Sequence, residues 1–180
     1  MRLFAEQGYE ATTVAEIARA ADVSTRSVSM YFPTKFDIAT ASSDAAAKRL
    51  TAALHEASES ASPVDVFADW LENDSSYVDD EEWQLRAGMI HANPVLSSSG
   101  TASLTALMDA ATAAVARDLN VSSEDAAVQI ALSVFGSMIA QYQLLPGATK
   151  MDAPTLAKIR AALEGAFDGL RRNAEAHAAE

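Results

Sequence analysis

The sequence predicts an all-α chain: an N-terminal helix-turn-helix domain of three helices, followed by a C-terminal helical domain. Three observations carry this. Helix formers such as alanine, leucine and glutamate dominate, and glycine occurs seven times in 180 residues. No stretch alternates at period two, the signature of a half-buried strand. Helix-capping patterns recur, as at Thr13 with Glu16 and Ser122 with Asp125.

The elements follow in order. Residues LFAEQ form the end of a helix, closed by Gly8 in the left-handed conformation. Thr13 and Glu16 open the next, in which Val14, Ile17, Ala18 and Ala21 share one apolar face. Asp22 and Val23 make a tight turn, with Val23 tucked inward. Ser24 is the N-cap of a helix from Thr25 to Phe32. Val28 and Phe32, four apart, face the core, while Thr25, Arg26, Ser27, Ser29 and Met30 face outward. Pro33 ends the element, and Thr34 caps a long helix from Lys35 to Ser58.

Two short helices around a tight turn are the form that presents a helix to the DNA major groove. The outer face of the second carries Arg26 and hydroxyl groups. No acidic residue, which would repel phosphates, lies between Ser24 and Lys35.

The stretch resembles the N-terminal domain of TetR-family (tetracycline-repressor-like) regulators. Matching residues are Leu3, Phe4, Gly8, Tyr9, Thr12, Thr13, Val14, Ile17, Ala18, Ala21, Val23, Ser24, Ser27, Val28, Tyr31, Phe32, Thr34 and Lys35. The resemblance implies a double-stranded DNA operator as partner. Thr13, Ser27 and Tyr31 would contact phosphates, and Lys35 the backbone on the far side. Thr25 and Arg26 would reach base edges, Arg26 at guanine O6 and N7. Ser24 and Ser29 complete the candidate DNA-binding set. Tyr31 fits a half-buried core position equally well.

Three positions depart from the family pattern. Ser29 stands where Tyr or Phe is usual, Asp22 replaces the turn glycine, and Phe36 replaces an acidic residue. The first helix is also short by about a dozen residues against the family pattern, and a helix so short is marginal alone. An upstream start, or a weakened DNA-binding domain, would account for that. The alternative function is therefore a small-molecule-binding helical dimer that does not engage DNA.

Charge divides the chain. The net charge of −12 falls entirely after residue 50, because residues 1–50 balance six basic against six acidic side chains. A neutral head with one basic face can dock while an acidic body stays clear of the duplex. Modest affinity and low tolerance of nonspecific sites are expected. The domains divide at residues 1–45 and 46–180. Cysteine is absent, and neither a signal peptide nor a membrane-length apolar run occurs, so a cytoplasmic protein is expected.

In the body, Pro63 opens a helix through PVDVFADWLEN. Another runs from Asp79 or Asp80 to Asn93. A loop or frayed start at residues 97–100 precedes a helix to Leu119. Ser122 opens the next, to Leu145, and Asp152 caps a last helix to about Ala174, followed by a frayed tail. The last two helices carry broad apolar faces with small residues beside them. The resemblance implies a homodimer through these two helices. It also implies a pocket for an unknown small-molecule effector among the middle helices. Candidates are Phe67, Trp70, Trp83, Arg86, Met89, Ile90, Met108, Phe135, Met138, Gln141 and Tyr142, although such residues at helical spacing also build cores. Arg86 equally suits a surface or an interhelix ion pair, and His91 a helix C-cap.

Catalysis finds no support. His55, His91 and His177 are scattered, and no catalytic or phosphate-binding motif occurs. Neither an enzyme nor a cofactor is expected. The sequence reads as a ligand-responsive transcriptional regulator, a repressor released from its operator by a small molecule.

Overall fold

A computed structural model describes residues 1–58, 60–74, 80–93, 96, 101–144 and 152–178. Among these, nine helices and no strand occur: α1 (Arg2–Gln7), α2 (Val14–Ala20), α3 (Thr25–Tyr31), α4 (Lys35–Glu56), α5 (Pro63–Asp74), α6 (Asp80–Ala92), α7 (Ala102–Leu119), α8 (Ala126–Leu144) and α9 (Ala153–Ala178). The fold is all-α. No described helix is long and apolar enough to cross a membrane.

Local chemistry explains the helix starts. Thr13 and Glu16 form a full capping box on α2, and Thr34 and Asp37 form another on α4. The Ser24 hydroxyl accepts the Ser27 N–H at 3.0 Å to open α3. Asp152 accepts the Thr155 N–H at 2.9 Å on α9, and hydrogen bonding from the Thr155 side chain and then its backbone lowers the Asp152 pKa.

Some expectations shift. Gly8 has φ 87 and ψ 158, a positive-φ conformation outside the left-handed helical well. Only glycine adopts it cheaply, so the position needs glycine for a different geometry. Asp22 does enter the left-handed region, at φ 54. Val23 is 47% exposed rather than tucked inward. Helix α8 starts at Ala126, because Asp125 accepts the Ala127 N–H while Ser122 accepts that of Glu124 in the preceding turn. Helix α9 runs to Ala178, past the expected end. The loop expected at residues 97–100 and the Pro146-Gly147 stop lie outside the described residues.

Two cores form. The larger gathers Leu50 of α4, Val64, Phe67 and Leu71 of α5, Val115 and Leu119 of α7, Val128 of α8, and Leu163 and Phe167 of α9. Phe135 stands edge-on to Phe67 at 4.8 Å and to Phe167 at 5.3 Å, an arrangement that adds to the area burial. The smaller core joins Phe4 of α1 to Ala39 of α4 and to Met89 and Leu96. Tyr9, Ile17, Phe36 and Ile38 pack around it, so Phe36 serves as a core residue where the family has an acid. Helix α4 therefore enters both cores, and α1 lies on α6.

Ion pairs strap α9 to its neighbours. Arg171 grips Asp118 of α7 with contacts of 2.8 and 3.0 Å. Arg160 reaches Asp65 of α5 and pairs with Glu164 at 3.2 Å, which together raise its pKa. The Arg160 partners are half-exposed, so that network contributes little; Asp118 is more enclosed.

Candidate nucleic-acid interface

Helix α3 has seven residues. Its inward side is Val28, 8% exposed, with Phe32 half-buried beside it. Thr25, Arg26, Ser29, Met30 and Tyr31 are all exposed. Tyr31, at 75%, is no core aromatic. The outer face thus offers a guanidinium, hydroxyls and a thioether, with no acid among them.

The hydroxyls differ in what they have left to give. Ser24 and Ser27 share one hydrogen bond at 2.8 Å, so one of their two O–H groups remains available to donate. Thr13 is exposed, but its O–H is committed to Glu16 Oε2 at 2.7 Å. These bonds from the Thr13 hydroxyl and backbone hold the Glu16 carboxyl below its ordinary pKa. Its share of the cap is therefore present above the usual carboxylate range and lost as pH falls through the lowered value. It also leaves a negative charge at the start of α2, where a phosphate is expected. Glu16→Gln keeps the capping hydrogen bonds and removes that charge. It is expected to tighten DNA binding a few-fold with a slightly lower circular-dichroism melt, because the charge-assisted part of the cap is lost; weaker binding, measured by fluorescence anisotropy, would count against phosphate approach there.

Lys35 makes bonds within the protein that the sequence did not reveal. Its ammonium donates to the Tyr9 carbonyl at 2.7 Å and the Glu10 carbonyl at 3.2 Å, and lies 4.4 Å from the Tyr9 ring centroid. Two of its three donors fasten α4 to the α1–α2 corner, and one remains for a phosphate. Burial and the carboxylates of Glu10 and Asp37 raise the pKa of the Tyr9 phenol, which stays neutral.

Residues 1–41 match the family model for bacterial regulatory proteins of the tetR family. The N-terminal segment is a helix-turn-helix domain of the TetR type. No curated protein matches the chain. The match supports a DNA-binding transcriptional regulator.

Sequence reasoning missed Asn93. This residue, 8% exposed at the end of α6, joins the body to the TetR head. Its Oδ1 accepts the Tyr9 N–H at 2.7 Å, and its Nδ2 donates to Met89 O at 2.8 Å and Phe4 O at 3.4 Å. One amide thus satisfies the ends of both α1 and α6. An Asn-Pro pair reads simply as a helix stop, so no local signal marks this bond, which spans 84 residues. Asn93→Ala leaves the Tyr9 N–H without its acceptor. A loss of about 1–3 kcal/mol is expected in urea denaturation, and unchanged stability would refute the role.

Among the described residues, the candidate effector side chains are spread over several places. Phe67 and Phe135 pack edge to face in the larger core. Trp70 borders an open groove between α4 and α5, and Met138 borders another on α8. Met108 is 43% exposed. Arg86 is 7% exposed, buried rather than at the surface. The side chains of Trp83, His91, Gln141 and Tyr142 lie outside the described set. Met89 and Ile90 share a cavity of about 160 Å³, lined also by Ala39, Thr40, Ser43 and Asp44 of α4, with Leu96, Thr101 and Leu104. Thr101 donates to Asp44 at its rim, at 2.6 Å. No group of metal-ligating residues occurs among the described residues.

Proposed function

We propose that this regulator is a cytoplasmic, dimeric repressor released from its operator by a small molecule. The observation that carries the reading is the exposed outer face of α3, with Arg26 free of acidic neighbours, on a head bonded to the body through Asn93.

The dimer would form through α8 and α9. Ile130 is 53% exposed on α8, beside Gln129, Ser133 and Ser137. A side chain added at Gly136 or Gly165 would meet nothing within 4 Å, so another subunit has room to approach closely. Twofold symmetry then requires two half-sites about 34–36 Å apart or a multiple of that.

The effector would enter the cavity between α4, α6 and α7. It touches α4 and lies one turn from Asn93, so a ligand there acts on the element that sets the head. A ligand that favours one placement of α4 shifts the population away from the placement in which both half-sites are filled, and avidity is lost. Thr40, Ser43 and Asp44 on an otherwise apolar lining suit a small, mainly apolar molecule with one or two hydrogen-bond donors.

The test is selection of the purified chain against random duplex DNA, with its mass measured by analytical ultracentrifugation. Enrichment of an inverted repeat by a dimer is the expected result. A monomer, or no enrichment at all, would sink the reading and leave the non-DNA-binding alternative.

A further inference from the structure

Met30 is 71% exposed on α3. It lies four residues after Arg26, so the two stand on the same side of the helix, with Ser29 beside them. Val28 and Phe32 already supply the inward side, which leaves Met30 no packing role in the free head. Single exposed apolar residues are ordinary on protein surfaces. This one sits on the face that must meet base edges, next to the guanidinium. There it costs solvation in the free protein and regains it only against an apolar partner.

We infer that Met30 is a specificity-determining residue that reads the C5-methyl group of a thymine in each half-site. The inference rests on the DNA-binding reading above. Thymine's methyl is the one apolar group that a base pair presents in the major groove, whereas Ser29 and Arg26 suit its polar edges. The unbranched, polarizable thioether can follow a methyl whose position varies slightly with helix docking. Spacing narrows the location. Four residues rise about 6 Å along the helix, which corresponds to one or two base-pair steps. The thymine therefore lies one or two steps from the guanine that Arg26 contacts.

The test uses the highest-ranking duplex from the random-DNA selection. Each thymine within two steps of the conserved guanine is replaced by deoxyuridine, which removes the methyl and nothing else. Fluorescence anisotropy at fixed salt is expected to show about a three- to fivefold loss at one of these positions in each half-site, the scale of one buried methyl. Met30→Ala is expected to bind the thymine duplex more weakly and to bind the thymine and deoxyuridine forms equally. Its melting curve, set against that of the unsubstituted chain, checks that the head is intact. Tight binding with no deoxyuridine effect at any of these positions would overturn the role of Met30 while leaving DNA binding in place. An equal deoxyuridine effect in Met30→Ala would assign the methyl to another residue. Failure to enrich any duplex would instead remove the reading on which the inference rests.

Discussion

Arg26→Ala is expected to cut affinity for the selected duplex about ten- to a hundredfold, the discrimination carried by one bidentate arginine–guanine pair. Arg26 is exposed on α3, and no described carboxylate pairs with it, so its removal should not disturb the fold. The loss should be specific. Binding to unrelated duplex DNA should fall far less, because phosphate contacts carry no sequence information. The salt dependence should change little, since a base-edge contact releases few counterions. Anisotropy titrations of both duplexes over a range of salt would separate these terms. Equal losses on both duplexes would make Arg26 a phosphate contact and leave the base-reading role empty.

Phe167→Ala should be the most damaging core change. Phe167 is fully buried in α9, edge-on to Phe135, with the Arg171 guanidinium 5.9 Å from its ring centroid. Truncating a buried phenylalanine costs about 3–5 kcal/mol, part of it for the space left behind. In a domain of this size each kcal/mol lowers Tm by about 2–4 °C. The measurement also discriminates between core and pocket. If Phe67, Phe135 and Phe167 enclosed an effector, trimming one would enlarge an existing space and cost little. A urea-denaturation loss below about 1 kcal/mol would favour the pocket over the packed core.

The sequence made the head legible because its decisive interactions are local. Thr13, Ser24 and Thr34 each bond a backbone group three residues on, and such spacing is visible in one dimension. Asp22 was readable for the same reason, since few residues tolerate its backbone angle. Lys35 was only half readable. Its charge and its place at a helix start suggest a phosphate, but its partners are carbonyls 25 and 26 residues away. Asn93 was hidden for a similar reason. The effector site was not legible, because Phe67, Phe135 and Met138 recur with the same period whether they wall a cavity or fill it. Only their mutual distances distinguish the two, and those place Phe67 and Phe135 against each other.

Helix α4 passes through both cores as one uninterrupted element, with Phe36 near one end and Leu50 toward the other. At 1.5 Å per residue, these two anchors lie about 21 Å apart. That length works as a lever arm. A tilt of about 5° at Leu50 sweeps Phe36 through roughly 2 Å, simply from the rise per residue. Mirrored in a symmetric pair, the sweep reaches roughly 4 Å, more than one base-pair rise of about 3.4 Å. In the proposed dimer, a tilt of that size would be enough to throw two reading heads out of phase with a fixed stretch of duplex.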